Sequence, residues 1–317
     1  MPGKLTCGFL LILILVGCSH PATEKKLTIA TLKGPSSMGM IRLVDSLRNE
    51  SSPSVQVLIL NEPMQVRKMM IEGTADFAIL PSTLAAVMYN KGLDYRLLAI
   101  PVWGSLYLAG TDTTVTGFSD LKGKRIFLMA RGMTPDVLFR HLLLKNGIDP
   151  DKDINLDYSF PTHIDLANAV KAGQAALAVI SEPQLSLAMK LNPEVKRIFS
   201  LHEEWTRFEG IPIAETAFMA GNSVIRNNRA VVEQLLKSYD LSNRWVVQHP
   251  DSAADLIVRY QILPETESAL LAIPQINFKF VRADTIRKQV SDYFKVFFEL
   301  NPDIVGGRIP DENFYYR

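Results

Sequence analysis

Apolar residues along the chain fall into short β-type runs, separated by stretches in which they recur at helical spacing. Residues 27–32 form the first run and end in Lys33-Gly34-Pro35-Ser36-Ser37, after which Met40, Ile41, Val44 and Leu47 mark a helix. Residues 55–60 predict a second strand and 63–72 a helix stopped by Gly73. Residues 76–80 predict a third strand, and Pro81-Ser82-Thr83 begins another helix. Strands alternating with helices in this way predict a parallel-type sheet covered by helices.

The pattern returns about a hundred residues later. Residues 125–129 read as a strand ending in Arg131-Gly132-Met133-Thr134. Thr134 is expected to cap the next helix, Pro135 to occupy its first turn and Gly147 to stop it. A strand over 154–158, a helix over 164–172 stopped by Gly173, and a strand over 176–180 follow, and Ser181-Glu182-Pro183 opens a further helix. Gly34 and Gly73 lie 39 positions apart, Gly132 and Gly173 41, so one α/β unit is present twice and two lobes are expected. Residues 95–108 are an apolar connection, 213–220 another β-like stretch, and 228–249, 252–260 and 283–300 the clearest later helices. The expected fold is α/β, with two parallel-type sheets, flanking helices and a two-crossing hinge. Lobe one takes 27–108, lobe two 109–213, and 214–317 returns onto lobe one.

The N-terminus changes the picture of where the chain works. Lys4, an apolar run over 9–16 and Leu15-Val16-Gly17-Cys18 read as a secretory signal with a lipobox. Residues 1–17 are then signal, 18–26 a tether, and Cys18 the lipidation site holding the protein to the bilayer outside the cytoplasm, on an inner or an outer membrane. Cys7 leaves with the signal, so no cysteine pair remains for a disulfide. Lys4 leaves too, and the remaining 33 basic residues balance the 33 acidic ones, which gives no support for nucleic-acid binding.

Three stretches resemble the type II periplasmic solute-binding proteins of the nitrate/sulfonate/taurine ABC import group. They are Gly73-Thr-Ala-Asp76-Phe-Ala-Ile-Leu-Pro81, then Asp120-Leu-Lys-Gly-Lys-Arg-Ile126 with Gly132-Met-Thr-Pro135, and Ala178-Val-Ile-Ser-Glu182-Pro183. The resemblance implies a Venus-flytrap cleft between the lobes, a closing hinge, and delivery of a small-molecule solute to an ABC permease and its ATPase; a monomer is expected. Nitrate, sulfonates, taurine and pyrimidine precursors all remain open as ligands.

In open α/β sheets ligands bind beyond the carboxyl ends of the strands, at helix starts. The loops so placed give Ser36, Ser37, Ser82, Thr83, Gly132, Met133, Thr134 and Glu182 as candidate ligand-binding residues, with Ser105 at the hinge and His163 before a helix. Glu182 suits a ligand amine and repels an anion, and removing it is expected to weaken binding while leaving stability largely intact. The histidines form no zinc pattern, residues 117–124 miss the phosphate-loop spacing, and no nucleophile elbow occurs. No metal, cofactor or catalytic residue is therefore expected. Two other functions stay open: an enzyme of the menaquinone or thiamine-pyrimidine type on a similar fold, and a sensor lobe for a membrane signalling partner.

Overall fold

A computed structural model describes residues 26–51 and 54–317, together with Gly3; the lipobox and Cys18 lie outside the described residues. The first part of the chain runs β1 (Leu27–Leu32), α1 (Pro35–Gly39), α2 (Ile41–Asn49), β2 (Val55–Leu60), α3 (Pro63–Ile71), β3 (Phe77–Pro81), α4 (Ser82–Asn90) and β4 (Tyr95–Val102). The second runs β5 (Leu106–Gly110), β6 (Arg125–Phe127), α5 (Thr134–Lys145), β7 (Asn155–Asp157), α6 (His163–Lys171), β8 (Leu177–Ser181), α7 (Gln184–Leu191), β9 (Lys196–Ser200) and α8 (Leu201–Glu209). The return comprises β10 (Thr216–Gly221), α9 (Asn222–Asn227), α10 (Arg229–Gln248), α11 (Pro250–Arg259), α12 (Thr266–Ala272), β11 (Phe278–Arg282) and α13 (Ala283–Leu300).

Two sheets result, one ordered β11-β4-β10-β3-β1-β2 and the other β7-β6-β8-β5-β9. Strands β1, β2 and β3 pair parallel, as do β6, β7 and β8. The expectation of parallel-type sheets holds for these trios only. Strand β10 joins β3 antiparallel and β5 joins β8 antiparallel, so both sheets are mixed. Strands β10 and β5 are the first that the chain lays down on arriving from the other lobe, and β11 and β9 pair antiparallel at the sheet edges with β4 and β5.

Strand β3 shows why these runs fold as they do. Phe77 and Ile79 face the core under α2 and α10, whereas Ala78 and Leu80 face the core under α3 and α4. Residues with helices on both sides read as an unbroken apolar run rather than an alternation. In the second sheet, Ala178 and Ile180 face α6 and α7, and Val179 faces α5. The core under α5 continues into lobe one through α8 and α13, where Trp205 stacks on Phe297 with ring centres 5.5 Å apart.

The apolar connection read over 95–108 is two strands in different sheets. Strand β5 belongs whole to the second sheet, so the first crossing lies at 103–105 and not at 108. Gly104 makes the break, with φ of +114°, a backbone conformation that disfavours any side chain. The second crossing runs over 210–215. Glu215 ties the second crossing to the end of β4, its N–H donating to Val102 O at 3.1 Å, and to the first crossing, its carboxyl accepting from the Ser105 hydroxyl at 2.8 Å.

Candidate functional site

The starts of α1, α4, α5 and α7 all border one cavity of about 670 Å³, with walls from both lobes and both crossings. Such a volume lies in the range typical of sites for small organic molecules. A second cavity of about 560 Å³ also borders the first crossing, beside Tyr107, His202 and Asn277, and holds none of those helix starts.

Of the residues expected at the ligand, Ser36, Thr83, Ser105, Gly132, Met133, Thr134, His163 and Glu182 line the larger cavity. Ser37 and Ser82 do not. The Ser37 hydroxyl closes on Gly34, accepting from its N–H at 3.1 Å and donating to its carbonyl at 3.0 Å. The Ser82 hydroxyl donates to Ala214 O. The two hydroxyls satisfy backbone groups, one at the start of α1 and one on the second crossing, a demand that sequence position alone does not reveal.

Thr134 corrects a second expectation. It does not cap α5; Asp136 takes that part, accepting from Gly132 N–H at 2.7 Å while Arg140 and the Tyr158 hydroxyl hold the carboxylate in place. The Thr134 hydroxyl is left to face the cavity. There its Oγ1 lies 2.6 Å from Thr83 Oγ1 of lobe one, a hydrogen bond directly between the lobes.

Glu182 borders the cavity with its carboxylate already engaged. It is paired with Arg197 of β9 and accepts from Ser186 N–H at 3.0 Å. Burial raises its pKa against the lowering pull of Arg197. Arg197 in turn lies 4.9 Å above the Tyr107 ring, and Tyr107 donates to Gln275 O at 2.7 Å. His163 is pushed down to about 4 by burial, so it meets a ligand as a neutral imidazole.

Glu215 is the residue that sequence reading missed. Its carboxyl lies beside the cavity on the second crossing and accepts from the Ser105 hydroxyl at 2.8 Å. Burial pushes it up to about 7 against the pull of hydrogen bonds from Ser105 and the Gly104 and Ser105 amides. A lone acid inside Ile211-Pro-Ile-Ala-Glu-Thr-Ala-Phe218 is itself a signal, because an isolated carboxylate is costly to bury without a purpose. Next to it Thr216 and Tyr293 also line the cavity. Thr216 Oγ1 is buried without a partner, and Tyr293 OH lacks a well-formed hydrogen bond, Ser82 being the hydroxyl near it.

Among the described residues no group of His, Cys, Asp and Glu side chains is placed to hold a metal ion, and no helix is long and apolar enough to cross a membrane.

Residues 37–254 match the family described as "ABC transporter, phosphonate, periplasmic substrate-binding protein". The Bacillus subtilis protein YtlA is 29% identical over 157 residues, a stretch covering 48% of this chain and 43% of YtlA, so the match spans under half of that relative. An ABC transporter structure from Parabacteroides distasonis superposes with a TM-score of 0.80 at 24% identity, covering 92% of this chain and 99% of that one. The Escherichia coli periplasmic aliphatic sulphonate-binding protein SsuA gives 0.68 at 17% identity, covering 90% and 96%. The periplasmic nitrate-binding protein NrtA of Synechocystis gives 0.58 at 14% identity, covering 78% and 69%. The structural likenesses share the two-lobed fold. With the family match extending over both lobes, the chain belongs to the periplasmic substrate-binding proteins of ABC transporters.

Proposed function

We propose that this protein captures a small solute in the cavity between its lobes and hands it to an ABC permease driven by its ATPase. The observation carrying the reading is the convergence of four helix starts, from both lobes, on one cavity bridged by Thr83 and Thr134. A solute that touches both lobes favours the closed arrangement by its differential affinity for the two states, and closure gives the permease a surface to recognise. The protein acts as a monomer, without turnover, attached to the membrane by lipid on Cys18.

A thermal-shift screen of the full chain against small anions, sulfonates, amino acids and vitamin precursors tests the reading. A true ligand at a hundredfold its dissociation constant stabilises the fold by about 2.7 kcal/mol. No stabilisation across the panel, or chemical conversion of a bound solute, overturns it. Mass spectrometry of membrane-extracted protein is expected to find a diacylglycerol adduct on Cys18 and none in Cys18→Ser.

A further inference from the structure

We propose that the crossing end of the cavity is a subsite for a nitrogen group that donates hydrogen bonds (an amine, amidine or aminoheterocycle) on an apolar body, with Glu215 as its specificity-determining acceptor. The inference rests on the solute-binding reading and adds the chemical class of the solute.

Geometry carries it. The Glu215 backbone is fixed on both sides, its N–H donating to Val102 O at 3.1 Å and its carbonyl accepting from Ser82 N–H at 3.0 Å. Its carboxyl therefore has one place to go, against Ser105 and the cavity wall. Among the described residues no cation pairs with it, in contrast to Glu182, whose charge is met by Arg197. Lys33 and Arg67, the cations on the wall, come from the loop after β1 and from α3, and neither pairs with Glu215. An oxyanion brought to this end would sit beside a carboxyl whose charge is met by neutral donors alone, whereas a cationic or N–H group is attracted to it. Away from this polar end, Leu84, Met129, Leu138, Ile213 and Ile304 give apolar walls, and a bare inorganic anion would leave most of the 670 Å³ unfilled.

Protonation supports the assignment. The Glu215 carboxyl lies near neutrality at about 7, and a basic nitrogen held against it draws off its proton. Tyr107 and Tyr293 feel its charge, but burial raises both far above this range, so they keep their protons; His163 is already neutral.

The test uses two probes with the same ring, benzamidine and phenylphosphonate, titrated calorimetrically into the full chain. Wild type is expected to bind benzamidine about tenfold or more tightly than phenylphosphonate. Glu215→Gln, nearly isosteric, is expected to lose that preference while its affinity for phenylphosphonate holds or rises. Should that variant fold poorly, wild type alone decides: in two buffers of different ionisation enthalpy at pH 7, benzamidine is expected to release about half a proton from Glu215. Tighter binding of phenylphosphonate, an unchanged preference in Glu215→Gln, or no proton release overturns the inference. If phenylphosphonate still binds and Thr134→Val weakens it, the solute-binding reading survives that result; if neither probe nor any solute of the wider panel binds, both fall.

Discussion

Thr83 and Thr134 meet hydroxyl to hydroxyl at 2.6 Å, joining the first turn of α4 to the first turn of α5 across the cavity. Each sits where a helix-capping residue would be expected, and neither caps its own helix. Replacing either by valine keeps the shape and removes the bond. One such bond contributes about 0.5–1.5 kcal/mol, so solute affinity is expected to fall roughly two- to tenfold with thermal stability nearly unchanged. Small-angle scattering of Thr83→Val without solute is expected to show a larger radius of gyration. An unchanged radius and affinity would mean that the contact does not favour closure.

Glu182→Ala is expected to damage the fold, against the sequence-based expectation of intact stability. Glu182 is 1% exposed, and loss of its carboxylate strands Arg197 and the Ser186 N–H. Removing one partner of a buried pair costs about 3 kcal/mol. Urea denaturation measures it, and Glu182→Ala together with Arg197→Met is expected to recover part of the loss. A single variant as stable as wild type would show that water replaces the missing carboxylate.

The two lobes, their repeated unit and the three long helices at the end were legible because each rests on local signals: apolar runs, helical spacing and stopping glycines. Strands β9 and β11 escaped because Lys196–Ser200 and Phe278–Arg282 are edge strands with basic residues, buried on no full face. At the site, helix starts were readable, but side-chain directions were not. Ser82 and Thr83 are neighbours, yet one hydroxyl turns to Ala214 in the protein and the other to the cavity. Arg197 gives no local hint that it meets Glu182, fifteen positions earlier, because strand pairing through β5 creates the contact.

Gly104→Ala is expected to strain the first crossing in two separable ways. A Cβ there would lie 2.5 Å from His202 Nδ1, and φ of +114° is itself unfavourable for alanine. The combined cost is about 2–4 kcal/mol, read as a lower urea midpoint. Adding His202→Ala relieves the collision and leaves the backbone strain, so the double variant is expected to recover only part of the loss. Full recovery would assign the whole effect to the imidazole.

Stability is expected to fall between pH 4.5 and 7 because of Glu215. Its carboxyl titrates near 4.5 when unperturbed and at about 7 in the fold. Between those values the folded protein holds a proton that the unfolded chain has released, so raising the pH favours unfolding. The contribution is complete below pH 4.5, declines through the interval and is gone above 7, amounting to about 3 kcal/mol at most. His163 acts with the opposite sign: its folded pKa of about 4 lies below the ordinary 6.5, so its contribution is present above 6.5 and lost on acidification. Wild type and Glu215→Gln share the histidine, and comparing them cancels it. From pH 5 to pH 8 the urea midpoint is therefore expected to rise in Glu215→Gln, through the histidine alone, while in wild type the loss at Glu215 offsets most of that rise, leaving the variant the more stable of the two at pH 8. Parallel pH dependences would show that the Glu215 carboxyl is solvated and titrates as an ordinary surface acid.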